Sequence, residues 1–207
     1  MKQRTRVLFG GSFDPPTIAH RSLIQLVRQS LPDAEIVVIV AGQPPHKDPA
    51  QCTPAVMRLE LARLAFGDLD GVRISDEECR RAGPSYTVET LARHRGELGG
   101  AALYWLIGAD SLLDLPNWRE PHRILELAHV LTVARPGFDV GTLDSLTAFT
   151  ADERAALRAG ILEGSGPDVS SSAVRRDIRE GCPIDDLVDA AVLAAIRVRG
   201  LYIEPCA

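Results

Sequence analysis

Short apolar runs alternate with amphipathic stretches along most of the chain. The apolar runs are typical of buried strands and predict strands at 7–9, 35–41, 72–74, 103–107 and 130–134. Apolar positions at helical spacing, bounded by proline or capping residues, predict helices at 18–30, 54–66, 87–98, 151–159, 171–180 and 185–198. Thr87 is the predicted N-cap of the third helix.

Strands that alternate with helices predict parallel pairing through right-handed crossovers. The expected fold class is therefore α/β: a doubly wound, Rossmann-like, mostly parallel sheet with helices on both faces. A chain of 207 residues fits a single domain, 1–207. Ligands of such sheets bind beyond the carboxyl ends of the strands, so the residues after 9, 41 and 107 become the candidates for chemistry. The pattern is weakest over 137–168.

Composition narrows the class of partner. Hydrophobic residues make up 45% of the chain and charged residues 25%, as in an ordinary globular protein. The net charge of −5 argues against general binding to nucleic acid or an acidic membrane, because both require a basic face. The longest apolar run, 36–42, is too short to span a bilayer, and no secretory-type apolar segment follows the N-terminal residues.

The cysteines predict a reducing compartment. Cys52, Cys79, Cys182 and Cys206 are widely spaced and form no C-x-x-C pair. Zinc ligation and a disulfide framework are therefore not expected. We expect a cytoplasmic protein.

The turn after the first predicted strand carries the most specific string, Gly10-Gly11-Ser12-Phe13-Asp14-Pro15-Pro16-Thr17-Ile18-Ala19-His20. Its glycines would let backbone N–H groups approach a bulky anion, and the positive end of the next helix would point into the same space. Thr17 and His20 lie one helical turn apart, so both can reach a phosphate there. The plain alternative is a glycine turn with an incidental histidine, and neither the P-loop nor the dinucleotide-binding fingerprint is present.

Polar residues also follow two later strands. Lys47, in Pro44-Pro45-His46-Lys47, places a cation beside this space, although alone it is typical of a solvated loop lysine. Asp110 follows the strand 103–107 and can accept hydrogen bonds from ribose hydroxyls or cap a helix. Trp118 offers a flat face for a pyridine ring, or packs in the core.

Two further strings open helices. In Val169-Ser170-Ser171-Ser172-Ala173-Val174-Arg175, hydroxyls and free N–H groups at a helix start suit phosphate oxygens, and Arg175 lies one turn further along. Ser170 alone is equally explained as an N-cap. The string Ser85-Tyr86-Thr87-Val88-Glu89-Thr90-Leu91 is by itself a weak N-cap signal.

In this order, the strings resemble the nucleotidyltransferase superfamily with the [HT]-x-G-H motif and, within it, the bacterial nicotinate-mononucleotide adenylyltransferases. The resemblance covers residues 5–204 and leaves 137–168 unmatched. Two positions depart from the family string GG-[ST]-FDP-x-H-x-GH. Thr17 stands at the first motif histidine, as in the related pantetheine-phosphate branch, and Ala19 replaces the motif glycine.

The resemblance implies transfer of AMP from ATP to nicotinate mononucleotide in NAD biosynthesis, with pyrophosphate released and Mg²⁺ carried by ATP rather than by protein ligands. The implied catalytic residues are His20, Thr17, Lys47 and Arg175. The implied ATP-binding residues are Gly10, Gly11, Ser12, Phe13, His20, Gly108, Asp110, Ser170, Ser171, Ser172 and Arg175. Those implied for the mononucleotide are Ser12, Lys47, Tyr86, Thr87, Trp118 and Arg135, and the helical part at 165–207 would complete the ATP site.

These residues have distinct roles in the hypothesis. His20 holds the α-phosphate, Thr17 donates a weaker hydrogen bond nearby, and Lys47 and Arg175 hold the β- and γ-phosphate oxygens. Alternative acceptors are nicotinamide mononucleotide and phosphopantetheine. A non-catalytic nucleotide-binding regulator is the alternative from another class of protein, and a homo-oligomer is compatible with the sequence.

Overall fold

The fold is built on a six-stranded sheet in the order β3-β2-β1-β4-β5-β6. It was obtained as a computed structural model, which describes residues 5–45, 47–48, 52–134, 139–164 and 166–203. The strands are β1 (Arg6–Gly11), β2 (Glu35–Val40), β3 (Val72–Ser75), β4 (Leu103–Gly108), β5 (His129–Val133) and β6 (Ile161–Leu162). Pairing of β1 with β4, β4 with β5, and β5 with β6 is parallel. The predicted α/β class is confirmed.

Helices connect most of the strands. They are α1 (Ile18–Ser30), α2 (Ala55–Phe66), α3 (Thr87–Glu97), α4 (Ala109–Asp114), α5 (Pro121–Leu127), α6 (Ala151–Ala159), α7 (Ser171–Arg179) and α8 (Ala190–Arg199), with 3₁₀ turns at Leu115–Asn117 and Val140–Ser145. None of the helices in the described part of the chain combines the length and the apolar character needed to cross a membrane.

The sheet order reverses direction between β1 and β4, the neighbours at its centre. In open parallel sheets, ligands bind beyond the carboxyl ends of the strands at such a reversal. β1 ends at Gly11 and β4 ends at Gly108. The topology therefore singles out the residues that follow these two strand ends.

Two sequence predictions about helix starts are wrong. Thr87 is the first residue of α3 rather than its N-cap; Tyr86 occupies the N-cap with extended dihedrals and no side-chain cap. The last helix begins at Ala190, not near 185, because the Asp189 side chain accepts a hydrogen bond from the N–H of Ala191 and caps the helix there.

Contacts divide the chain into two compact units. The first unit comprises Met1–Gly10, Leu23–Val37 and Tyr86–Gly166, and the second comprises Gly11–Ser22, Val38–Ser85 and Pro167–Ala207. The prediction of one domain over 1–207, with 165–207 completing the ATP site, stays a prediction.

Candidate active site

The turn after β1, in the second unit, is built around a buried aromatic ring. Phe13 is 1% exposed and has a φ of 49°, in the left-handed region. Its ring meets His20 edge-on at 5.2 Å between centroids and Phe66 at 5.5 Å. The side chain of Phe13 therefore supports His20, and contact of Phe13 with a nucleotide would involve its backbone.

His20 is oriented by the residue that precedes α1. Its Nδ1 accepts a hydrogen bond from the backbone N–H of Thr17 at 3.0 Å and lies 2.8 Å from the Thr17 hydroxyl. This arrangement is half of a capping box, with histidine at N3 in place of glutamate. Because Nδ1 accepts from an amide that can only donate, the neutral ring carries its proton on Nε2.

Thr17 is thus turned towards His20. It is 2% exposed, and its hydroxyl lies within hydrogen-bond distance of the imidazole. The sequence hypothesis gave Thr17 a hydrogen bond to phosphate. In the structure the Thr17 hydroxyl contacts the imidazole, and its predicted hydrogen bond to phosphate stays a prediction.

The two glycines at the strand end have a steric reason that the sequence pattern did not reveal. A Cβ on Gly10 would overlap the indole of Trp105, and a Cβ on Gly11 would stand 2.9 Å from the Phe13 ring. Aromatic side chains therefore occupy the space in which a Cβ would lie at these two positions, and the approach of an anion to their backbone N–H groups stays a prediction. Because glycine has no Cβ, the backbone can pack closely against those rings.

Lys47 reaches the turn from the loop after β2. Its Nζ donates to the Ser12 hydroxyl at 2.8 Å. Burial lowers the pKa of Lys47, the neighbouring Arg175 guanidinium lowers this pKa further, and the Asp14 carboxylate acts in the opposite direction. Because Lys47 is half-buried and lies near a second cation, a bound anion would stabilise the charged form of both side chains. His46, in the same loop, lies outside the described residues.

Arg58, on α2, is a member of this site that the sequence analysis missed. It is 1% exposed. Its guanidinium donates at 2.7–2.9 Å to three backbone carbonyls, those of Thr53, Ser12 and Gly42. One buried cation thereby joins the turn after β1, the segment after β2 and Thr53, which precedes the N-cap residue of α2.

The serine-rich start of α7 reaches the same turn. Ser170 is the N-cap, and its hydroxyl accepts from the Ala173 N–H at 3.1 Å. The Ser171 hydroxyl donates to the Pro15 carbonyl at 2.8 Å. Of the three hydroxyls, Ser170 thus behaves as the plain N-cap that the sequence allowed, and Ser171 ties the helix to the turn.

Arg175 extends this attachment by one helical turn. Its Nη1 donates to the carbonyl of Asp14 at 2.7 Å, and its Nη2 lies 3.3 Å from the hydroxyl of Ser172, which is exposed. His20 and Arg175 therefore contact adjacent residues of one turn, Phe13 and Asp14. Both residues therefore approach the same turn, and their shared role in binding ATP stays a prediction.

The candidates for the pyridine and the ribose lie in the first unit. Asp110 is exposed in the first turn of α4, directly after β4 and Gly108. Trp118 is partly exposed, and its indole N–H donates to Asp114 at 3.2 Å.

A cation that the sequence analysis did not single out lies beside these candidates. The Arg119 guanidinium stands 4.5 Å from the centre of the Tyr86 ring. This contact joins the residue after Trp118 to the uncapped start of α3, where Thr87 is the first residue. Arg135 lies outside the described residues.

Among the described residues, no group of three or more His, Cys, Asp or Glu side chains could hold a metal ion. The buried carboxylate of Asp14 is engaged with Tyr202 at 2.8 Å and with the Thr53 N–H at 3.3 Å. Around the turn after β1, Lys47 and Arg175 supply cations and His20 supplies a hydrogen-bond donor, and such groups suit a polyphosphate.

Comparison with known proteins agrees with this geometry. The family model for cytidylyltransferase-like proteins matches residues 8–177. A probable nicotinate-nucleotide adenylyltransferase of Roseiflexus castenholzii is 40% identical over 96% of this chain and 98% of its own. One from Thermomicrobium roseum is 37% identical over 94% and 90%.

A solved structure shares the fold. The nicotinic acid mononucleotide adenylyltransferase of Plasmodium falciparum, complexed with NaAD, has a TM-score of 0.76 at 17% identity and covers 96% of this chain and 97% of its own. The chain therefore belongs to the cytidylyltransferase-like family and, within it, to the nicotinate-nucleotide adenylyltransferases.

Proposed function

We propose that this protein transfers the AMP part of ATP to nicotinate mononucleotide, giving nicotinate adenine dinucleotide and pyrophosphate. The observation that carries this proposal is the convergence of His20, Lys47 and Arg175 on the turn Ser12–Asp14. Relatives named for this activity at 37–40% identity support the choice of substrates.

The chemistry asks little of the protein beyond positioning. A phosphate monoester has a second pKa of about 6, so the mononucleotide phosphate is largely dianionic at neutral pH and needs no general base. One of its oxygens attacks the α-phosphorus of ATP in line. The new P–O bond forms as the bond from the α-phosphorus to the bridging oxygen breaks, and that electron pair leaves on pyrophosphate.

The residues around the turn would stabilise the negative charge that develops on the phosphates during the reaction. The Nε2–H of His20 would donate to an α-phosphate oxygen, where charge grows in the transition state. Lys47 and Arg175 would hold the β- and γ-phosphates and compensate the leaving pyrophosphate. Mg²⁺ enters as part of the substrate Mg-ATP, because magnesium keeps most of its water and binds through phosphate oxygens.

The pyridine of the acceptor is assigned to Trp118 and to the start of α3. Trp118 would stack on the pyridine ring, and Tyr86 and Thr87 would offer backbone groups at the uncapped start of α3. Asp110, assigned to ATP, would accept hydrogen bonds from the ribose hydroxyls of that nucleotide. A carboxylate on the ring suits a helix start that carries no side-chain cap, which favours the acid over the amide.

The same features argue against phosphopantetheine as the acceptor and against a non-catalytic protein. Pyridine stacking has no counterpart in phosphopantetheine, so Trp118 favours a pyridine nucleotide. A non-catalytic regulator would have no use for a histidine held in one tautomer beside two phosphate-binding cations.

The cysteines bear on the compartment. Scattered thiols at Cys52, Cys79 and Cys182 fit a reducing environment, and we propose the cytoplasm.

A product assay tests the proposal. Purified protein is mixed with Mg-ATP and one acceptor at a time: nicotinate mononucleotide, nicotinamide mononucleotide or phosphopantetheine. Both pyrophosphate and the adenylated acceptor are measured. We expect the acid mononucleotide to give the highest kcat/KM. Equal or better turnover of the amide would overturn the acceptor, and absence of pyrophosphate with all three would overturn the enzyme assignment. His20→Ala, prepared identically, controls for contaminating activity.

A further inference from the structure

The C-terminal segment is anchored to the candidate site by a tyrosine that the mechanism above does not use. Tyr202 follows α8 and has a φ of 67°, in the left-handed region. Its hydroxyl donates to Asp14 Oδ1 at 2.8 Å, across 188 positions of sequence. The backbone N–H of Ile18, the first residue of α1, also donates to the carbonyl of Leu187 at 3.0 Å.

Asp14 is the point at which three segments meet. Its Oδ1 accepts from Tyr202, and its Oδ2 accepts from the backbone N–H of Thr53 at 3.3 Å. Its carbonyl accepts from Arg175 at 2.7 Å. With the side chain 2% exposed, water does not replace these partners freely. The position of Asp14 is therefore set jointly by Tyr202, by Thr53 and by Arg175 on α7.

The orientation of Asp14 matters for both cations that face the phosphates. Arg175 is bonded to its carbonyl, and the Asp14 carboxylate raises the pKa of Lys47 against the effects of burial and Arg175. A displaced Asp14 would shift the guanidinium of Arg175 and change the charge balance around Lys47. Both changes act on the binding of a polyphosphate.

Tyr202 remains a hydrogen-bond donor throughout the working range of pH. Burial, followed by the nearby Asp14 carboxylate, raises the pKa of its hydroxyl well above the ordinary value. The phenol therefore stays protonated and cannot repel the carboxylate that it contacts.

We propose that Tyr202 is a positioning residue of the phosphate site, which acts through Asp14 to hold Arg175 in its binding geometry and to fix the backbone at Thr53. This inference rests on the proposed function, since it assumes that ATP binds at the turn. It assigns the C-terminal segment a part in ATP affinity without contact between Tyr202 and the substrate.

Tyr202→Phe removes only the hydroxyl and keeps the ring. Loss of a hydrogen bond to a buried carboxylate that sets a binding cation is expected to raise KM for ATP about tenfold. We expect kcat to change by less than about threefold, because His20 is held by Thr17 and not by Asp14. Tyr104→Phe is the matched control, since Tyr104 lies on β4 in the first unit.

A double-mutant cycle separates positioning from a general loss of stability. Tyr202→Phe, Asp14→Ala and the double variant are assayed well below their unfolding midpoints, which are measured by circular dichroism. If Tyr202 acts through Asp14, the double variant has the same KM for ATP as Asp14→Ala alone, because alanine removes the acceptor of the Tyr202 hydroxyl. Independent, multiplicative effects would overturn the inference, as would a KM unchanged by Tyr202→Phe.

The activity of the wild type shows whether a negative result contradicts the role of Tyr202 or the proposed function. Turnover by the wild type with an unchanged KM in Tyr202→Phe overturns the inference alone. If the wild type does not turn over, the proposed function fails, and Mg-ATP binding by calorimetry then decides the inference. About tenfold weaker binding by Tyr202→Phe, with the Tyr104→Phe control unchanged, supports it, and equal binding overturns it.

Discussion

The backbone N–H of Thr17 donates to His20 Nδ1 at 3.0 Å, and the Thr17 hydroxyl lies 2.8 Å from the same atom. An amide can only donate, so Nδ1 must accept and the hydroxyl must donate as well. Threonine at this position therefore has a function of its own: it adds a second donor that fixes the ring. The departure from the first motif histidine is compatible with an active histidine.

Thr17→Val keeps the shape of the side chain and removes only the hydroxyl donor. Because the backbone donor remains, we expect a moderate loss, about tenfold in kcat, from poorer alignment of the imidazole. Thr17→Ser keeps the hydroxyl and is expected to stay close to the wild type. Single-turnover kinetics of both variants measures this directly, and a fully active Thr17→Val would show that the backbone bond alone fixes His20.

His20→Ala removes the proposed donor to the α-phosphate. By comparison with other donors that stabilise growing negative charge, we expect kcat to fall by a factor of about 10²–10³ or more, with an unfolding midpoint close to that of the wild type. His129→Ala, at an exposed position on β5, serves as the control. Near-normal turnover by His20→Ala would remove this residue from the mechanism.

Lys47 predicts an alkaline limb in the activity profile. The residue is a cation below its pKa and neutral above it, and burial and Arg175 lower that pKa from the ordinary 10.5. Affinity for ATP is therefore expected to fall as pH rises through this lowered pKa. The fall should occur at a lower pH than it would for an exposed lysine. The limb should appear in kcat/KM for ATP, which reports the free enzyme.

Lys47→Arg keeps its charge across that range and should lose the alkaline limb, whereas Lys47→Gln should give low activity without the limb. A limb that persists unchanged in Lys47→Arg would assign the titration to another group.

Arg58→Met tests the buried guanidinium. It leaves three carbonyls of half-buried residues without their donor, so we expect the free energy of unfolding to fall by about 3 kcal/mol. Arg63→Met is the matched control, because Arg63 lies on the same helix and is exposed. Urea denaturation of both variants gives the difference. Equal losses would mean that the carbonyls find other partners.

Trp118 gives an optical test of the acceptor site. The chain has two tryptophans, and Trp105 is 3% exposed whereas Trp118 is partly exposed. Stacking of a pyridine ring on Trp118 is expected to quench its fluorescence on titration with nicotinate mononucleotide. Trp118→Phe should abolish the quench, with ATP alone as the control ligand. A quench that survives this substitution would place the ring elsewhere.

Much of the fold follows from local pattern. Helix α1 has the predicted bounds, 18–30, because apolar spacing sets its length and Pro32 follows its end. The bounds of strand β2 agree with the predicted ones to within one residue, because its apolar run is continuous and β-branched. In contrast, α5 and β6 were not predicted, since they are short and carry too few residues to show a period.

Local spacing pairs side chains that are close in sequence, but it does not reveal contacts between residues that are far apart. Thr17 and His20 share a helical turn, so spacing alone pairs them. Tyr202 and Asp14 are 188 positions apart, and no local pattern joins them.

Arg58 left a weak local signal. A charged residue stands on the same face of α2 as the buried Ala62 and Ala65, and a cation on an apolar face indicates a buried partner. The roles assigned to individual residues in nucleotide binding stay predictions.

The packing of Trp105 against Gly10 restricts which residues can occur together at these two positions in the family. Any side chain at position 10 would need the volume that the indole fills, and a smaller residue at 105 would leave a void beneath the strand end. The two positions can then change only as a pair. In relatives with alanine or serine at the first glycine, we expect a smaller residue in place of this tryptophan.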